Sequence, residues 1–153
     1  MKDIIKEKVA LRTKVKKLLL TMSPAEKRKA DVAICNKVLQ MPEVIDAKTI
    51  CSYVSFGTEV DTKQLIGQLR AMGKIVVEPD EASNTPIDLF IVPGLGFDRQ
   101  LHRLGRGGGY YDKLLSSVTV PKIGLAYACQ VVAEVPLTSY DVSMTAVITE
   151  EDT

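Results

Sequence analysis

The sequence predicts an α/β fold, a three-layer α/β/α arrangement around a mostly parallel sheet, preceded by two helices. Three observations carry that reading. Two amphipathic helical segments come before any strand pattern. Beyond residue 47, short β-branched and apolar runs alternate with helical ones. One of those runs, Ile87 to Val92, carries a single charge, Asp88, as a strand covered on both faces does. With 153 residues, 46% hydrophobic and 25% charged, the chain can bury a self-sufficient core but is short for two, so residues 1–153 are read as one domain.

The first helix is expected from Asp3 to about Leu20. At about 100° per residue, Ile4, Leu11, Val15, Leu18 and Leu19 share one apolar stripe, with Lys8 and Arg12 one turn apart on its flank. Ser23-Pro24-Ala25-Glu26 is a capping box with proline at the first helical position. It opens a second helix to about Leu39, with Ala30, Ala33, Ile34 and Val38 inward. Thr49 to Phe56 reads as a strand. Asp61 or Thr62 caps a third helix, whose apolar positions are Leu65, Ile66, Leu69 and Met72 and whose stop is Gly73. Lys74 to Val77 is a short strand, followed by a polar loop from Glu78 to Pro86. Ile87 to Val92 is the next strand, then a long glycine-rich loop from Pro93 to Gly109 and a short helix from Tyr110 to about Ser116. Lys122 to Tyr127 and Ala146 to Thr149 complete the strands. Crossovers between them should be right-handed, and ligands should bind beyond the carboxyl ends of the strands.

Composition excludes several classes. No apolar run approaches the roughly 18 residues of a membrane span, and the charged N-terminus lacks the apolar stretch of a secretory signal. Cys35, Cys51 and Cys129 are odd in number and widely spaced, so neither a disulfide framework nor a structural zinc site is expected. A cytoplasmic location and buried, unreactive thiols are the expectation. Net charge is +1, but residues 1–37 hold 11 basic and 4 acidic residues against 9 and 15 in the rest. That basic end fits an anionic partner, or simply a solvated helix face.

The densest information lies in Pro93-Gly94-Leu95-Gly96-Phe97-Asp98 and in Arg103-Leu104-Gly105-Arg106-Gly107-Gly108-Gly109-Tyr110-Tyr111-Asp112. Three glycines ahead of a helix let successive amides turn toward an anion, with the helix N-terminus behind them and Arg103 and Arg106 as flanking donors. No Gly-Lys-Ser/Thr follows, so this is not a Walker A loop, and the dinucleotide fingerprint is absent.

These motifs resemble the 5-formyltetrahydrofolate cyclo-ligases, also called methenyltetrahydrofolate synthetases. The likeness is closest over Pro93 to Asp112 and extends to Lys8 and Arg12, to Ser55–Thr62 with Glu59, and to Gln130, Pro136, Asp141 and Thr149-Glu150. It implies an ATP- and magnesium-dependent ring closure of 5-formyltetrahydrofolate to 5,10-methenyltetrahydrofolate, with release of ADP and phosphate. It further implies that Lys8, Arg12, Arg103, Gly105, Arg106, Gly107, Gly108, Gly109 and Tyr111 bind ATP, and that Asp112 and Asp141 bind Mg2+. Phe56, Glu59 and Tyr110 would bind the folate, and Arg103, Arg106 and Tyr110 would act in catalysis. A small-molecule folate is the expected partner, with no nucleic acid and no membrane, and a monomer or weak homodimer is the expected assembly.

Taken singly, these residues have plainer readings. Lys8 and Arg12 suit a surface helix, Asp112 a first helical turn, Asp141 a turn, Glu59 part of a cap, and Tyr110 and Tyr111 simple packing. His102, the sole histidine, has no counterpart in the family and is read as incidental. Val77 runs directly into Glu78-Pro79 where the family carries a further segment, and Tyr140 stands where it often has histidine. The shortened 77–78 region motivates an alternative: a nucleotide- or folate-binding protein of the same fold with lost or changed ring-closing activity. A basic interaction module for RNA or an acidic partner ranks last, because it leaves the glycine loop unexplained.

Overall fold

The computed structural model describes residues 3–151. Its centre is a five-stranded, all-parallel sheet with strands β1 (Thr49–Ser52), β2 (Ile75–Val77), β3 (Leu89–Val92), β6 (Lys122–Leu125) and β8 (Ala146–Ile148), in the order β2-β1-β3-β6-β8. The expected α/β class is therefore found. Side chains alternate across the sheet as the pleat requires. In β3, Leu89 and Ile91 enter one core while Phe90 and Val92 enter the other, and all four residues are buried.

Three helices cover the first face: α1 (Ile4–Leu20), α2 (Pro24–Gln40) and α4 (Lys63–Ala71), with the short α3 (Pro42–Asp46) adding Val44. The capping box forms as read, with Ser23 Oγ accepting from the Glu26 N–H and Glu26 Oε1 from the Ser23 N–H. In α1 the buried stripe is narrower than expected. Val15 and Leu19, one turn apart, are inside, whereas Leu18 is 37% exposed. Met72 lies at the C-cap of α4 and is also largely exposed, while Leu65, Ile66 and Leu69 are buried. Gly73 takes the left-handed conformation that ends the helix, with φ 85°.

The second face is covered by α5 (Tyr110–Leu115) and by a small sheet absent from the sequence reading. Within the expected glycine-rich loop, β4 (Gly96–Asp98) pairs antiparallel with β5 (Arg103–Leu104) and parallel with β7 (Val131–Val132). The fully buried Phe97 ring fixes this hairpin to the main sheet. A Cβ at Gly94 would stand 2.5 Å from it and one at Gly124 2.6 Å, so both positions must be glycine for the ring to fit. Asp98, also buried, accepts from the backbone of Gln100, His102 and Val135 and from His102 Nδ1 at 2.9 Å. His102 thus serves the hairpin.

All five strands of the main sheet are shorter than expected, β1 and β3 for local reasons. After β1, Ser55 and Thr62 exchange bonds, Ser55 N–H to Thr62 Oγ1 at 2.9 Å and Thr62 N–H to Ser55 Oγ at 3.0 Å, and pull the chain out of the ladder. Before β3, the Asp88 carboxylate caps the Lys48 and Thr49 amides. The Glu78–Pro86 stretch winds into a 3-10 turn over Pro79–Asn84. All three cysteines are unpaired, and burial raises each thiol, Cys51 to about 12. None is activated.

Candidate active site

The strand order reverses between β1 and β3, and in open parallel sheets the crevice beyond that point takes ligands. Here the loop leaving β1, the turn leaving β3, the N-terminal half of α1 and the segment before β8 enclose a cleft of about 1080 Å³. That is roomy even against the roughly 300–1,000 Å³ of small-molecule sites. Every residue nominated from the sequence lines it. Lys8 and Arg12 come from α1, Phe56 and Glu59 from the loop after β1, and Asp141 from the segment before β8. Arg103, Gly105, Arg106, Gly107, Gly108, Gly109, Tyr110, Tyr111 and Asp112 come from the hairpin and α5.

Arg103 is the most deeply set cation, 7% exposed. Its Nε donates to the Pro93 carbonyl at 2.6 Å, and its guanidinium lies over the Tyr111 ring, 5.0 Å from the centroid. Burial pulls its pKa down, against the pull of Asp112, Tyr111, Asp141 and Glu59. No carboxylate among the described residues comes within 4.0 Å of it, so its charge is only partly matched. Arg106 is looser. It reaches Glu59 at 3.9 Å and sits 5.4 Å from the centroid of the Phe56 ring. Two of the three residues expected at the folate end, Glu59 and Phe56, thus meet one arginine, while Tyr110 packs edge-on against Tyr111, with ring centroids 5.1 Å apart.

Arg12 anchors the glycine loop from α1, its Nε donating to the Gly105 carbonyl at 2.8 Å. Gly107, with φ 116°, lies against the Arg12 guanidinium, and Gly109 enters α5 with φ 68°. Both conformations disfavour any side chain. The helix contributes less than the sequence implied: α5 has six residues, so its dipole is short and the positive field rests on the cationic side chains, Lys113 among them.

Lys8, expected on phosphate, and Asp141, expected on metal, pair with each other across the cleft at 2.9 Å. Burial would raise Asp141, but the Thr138 N–H and the Lys8 ammonium outweigh it and hold the carboxyl below its usual range. Asp112 is displaced the opposite way, pushed up by burial against the pull of Arg103. A dication there would relieve that desolvation. Among the described residues no cluster of three His, Cys, Asp or Glu forms a ready-made metal cage. Two carboxylates in a cleft lined with cations nevertheless suit Mg2+, which takes one or two carboxylates and fills its shell with water and phosphate oxygens.

Several cleft residues were given no site role by the sequence. Tyr53, Pro93, Gly94, Thr138 and Tyr140 line it as well. Gln130 stands behind it, its Nε2 donating to the Gly94 and Leu95 carbonyls and so setting the turn after β3. Pro93 and Gly94 were quoted in the glycine motif and their position at a strand end was the available signal. Tyr53 and Thr138 carry none.

Comparison with known proteins places this geometry. The profile of the 5-formyltetrahydrofolate cyclo-ligase family matches residues 4–85 and 77–150, so its break falls on the loop after β2. The mitochondrial 5-formyltetrahydrofolate cyclo-ligase of Arabidopsis thaliana is 29% identical, over 96% of this chain and 75% of that protein. The Mycoplasma pneumoniae 5-formyltetrahydrofolate cyclo-ligase is 33% identical, over 81% of this chain and 87% of that protein. A solved 5,10-methenyltetrahydrofolate synthetase structure from Mycoplasma pneumoniae superposes with a TM-score of 0.79 at 28% identity, covering 94% of this chain and 99% of that one. The solution structure of the Aquifex aeolicus 5,10-methenyltetrahydrofolate synthetase gives 0.82 at 27%, covering 95% and 90%. Residues from both ends and the middle of the chain meet in one cleft, and the profile runs through all of them: the chain is a member of the 5-formyltetrahydrofolate cyclo-ligase family, a family of ligases.

Proposed function

We propose that the protein closes the ring of 5-formyltetrahydrofolate to give 5,10-methenyltetrahydrofolate, consuming ATP with Mg2+ and releasing ADP and phosphate. One observation supports this most: Lys8, Arg12, Arg103 and Arg106, from two distant segments, converge with Asp112 and Asp141 on a single cleft at the switch point of the sheet.

The formyl oxygen is a poor leaving group until it is phosphorylated. The γ-phosphoryl passes to that oxygen, forming an O–P bond as the bond to ADP breaks. The neighbouring folate nitrogen then attacks the activated carbon and gives up its proton, and phosphate leaves with the oxygen, taking that proton. Side chains need form no covalent bond; positioning and compensation of charge on the phosphoryl oxygens carry the rate. Arg103, buried and under-neutralised, is pre-set for the transferring group, with Tyr111 holding its plane. Arg12 fixes the glycine loop, whose Gly105–Gly109 amides and Tyr111 border the nucleotide. Lys8 exchanges Asp141 for a phosphate oxygen when the nucleotide arrives. Asp112 and Asp141 would hold Mg2+, which would supply charge neutralisation on the phosphates. Phe56 and Tyr110 offer exposed rings for the flat pterin, and Glu59 accepts from its N–H groups.

The test is to mix the purified protein with 5-formyltetrahydrofolate and Mg-ATP and follow the absorbance of the methenyl product, with ATP omitted in a control. ATP-dependent product is the expected result. ATP binding by calorimetry without product would favour the binding-protein reading, which the short wall at Glu78 and Pro79 motivates.

A further inference from the structure

Behind the cleft, a polar network joins three elements far apart in sequence. Asp31, on the inner flank of α2, accepts two hydrogen bonds at the same oxygen, Oδ1. One comes from the Tyr127 hydroxyl at the end of β6, at 2.6 Å, and one from the Asp61 N–H at 3.2 Å. Asp61 closes the loop that leaves β1. Within that loop the buried Tyr53 hydroxyl donates to the Val60 carbonyl at 2.8 Å, and the Thr62 hydroxyl donates to the Tyr53 carbonyl at 2.8 Å. The Ser55 hydroxyl reaches Asp61 Oδ1 at 3.2 Å. Phe56 and Glu59 stand at the open side of the same loop, joined by the Phe56 N–H donating to Glu59 Oε1 at 3.0 Å.

Holding a carboxylate at this place is costly. Burial raises the Asp31 pKa, and the Tyr127 hydroxyl, the Asp61 N–H and Lys27 only partly offset that. An apolar residue would fill a helix flank against the sheet at less expense. What an apolar residue cannot do is grip the loop backbone at Asp61 while itself being oriented by Tyr127, which is fully buried.

From this geometry we infer that Asp31 is a positioning residue for the substrate half of the cleft. It pins the β1 loop at Asp61, so that Glu59 and Phe56 are presented to the ligand from a fixed backbone. Asp31 itself makes no bond to the nucleotide half, carried by α1, the hairpin and α5; the loop meets that half only loosely, where Glu59 stands 3.9 Å from Arg106. The inference rests on the folate-binding role proposed for Glu59 and Phe56.

The test uses Asp31→Ala and Asp31→Asn with two readouts. In the ring-closing assay, Asp31→Ala raises KM for 5-formyltetrahydrofolate about tenfold and leaves KM for ATP within twofold. In a Glu59→Ala background it adds little, because the loop then has no carboxylate to position. Asp31→Asn keeps the shape and accepts the same bonds more weakly, so it shows the same selectivity at about threefold, and it serves if the alanine variant does not fold. Hydrogen exchange of residues 53–62 speeds up at least fivefold in Asp31→Ala, with the 105–109 amides unchanged. Equal rises in both KM values, additive losses with Glu59→Ala, or unchanged exchange over 53–62 would each overturn the proposal. If the wild-type protein itself closes no ring, the proposed activity fails, and the exchange result alone decides the role of Asp31.

Discussion

Arg103→Met separates catalysis from stability more sharply than any other single change. The side chain is 7% exposed, makes one hydrogen bond, to the Pro93 carbonyl, and has no carboxylate within 4.0 Å among the described residues. Removing it forfeits that bond, about 1 kcal/mol, and the contact with the Tyr111 ring, again about 1 kcal/mol. Against this stands the release of a desolvated charge, and replacing buried ions by apolar residues of similar volume is often neutral or stabilising by about 1–4 kcal/mol. The sum is near zero or favourable. For a chain this size about 1 kcal/mol moves Tm by some 2–4 °C, so Tm of the variant should stay within about 4 °C of wild type or rise. Activity should behave differently. A preorganised donor aimed at developing charge is worth about 2.7 kcal/mol or more, so turnover should fall at least about a hundredfold. The assays are methenyl absorbance and thermal unfolding on the same preparation. A large drop in Tm with turnover retained would refute the reasoning and make Arg103 a structural residue.

Three further outcomes follow from the contacts described. Lys8→Ala should weaken ATP binding about tenfold by calorimetry, since it removes one charge-assisted phosphate contact; an unchanged affinity would mean that Lys8 stays with Asp141. Asp98 is held below its usual pKa, burial being outweighed by the Val135 and His102 donors, so its contribution to stability is complete at neutral pH and is lost as pH falls below the ordinary carboxylate range and through its depressed folded pKa. Asp98→Asn should cost about 2 kcal/mol, or roughly 4–8 °C in Tm at pH 7, and should flatten the acid limb of the stability profile. Gly124→Ala forces the Phe97 ring to move and should cost about 1–3 kcal/mol in urea unfolding, with partial recovery when Phe97→Leu is added.

Much of the architecture was legible because its signals are local. Ser23 and Glu26 announce α2 within four residues, and the uncharged core of β3 announces a strand covered on both faces. The candidate site was legible for a different reason: the arginines, glycines and Asp112 are contiguous and resemble a known family. What stayed hidden depends on partners distant in the chain. The strands β4, β5 and β7 are two or three residues long and glycine-flanked, and only their pairing with each other makes them strands. Lys8 and Asp141 are 133 positions apart, and Asp31 and Tyr127 96 apart, so no window along the sequence joins them. Leu18 was misassigned because a helical wheel treats the whole apolar stripe as inward, whereas the sheet accepts only the narrower Val15–Leu19 ridge.

The Phe97 wedge has a consequence for the cost of binding. Arg103 pairs with Phe97 across the hairpin, so the ring that locks β4 to the main sheet also sets the backbone under the arginine. Three residues further on, Arg106 is half-exposed and the chain passes through Gly107, Gly108 and Gly109. An arriving nucleotide therefore meets one guanidinium whose freedom was already surrendered in folding. Of the two hairpin arginines only the half-exposed Arg106 still has side-chain freedom to lose, at up to about 2 kcal/mol. The hairpin thereby moves part of the entropic penalty of recognition out of the binding step and into the folding of the chain.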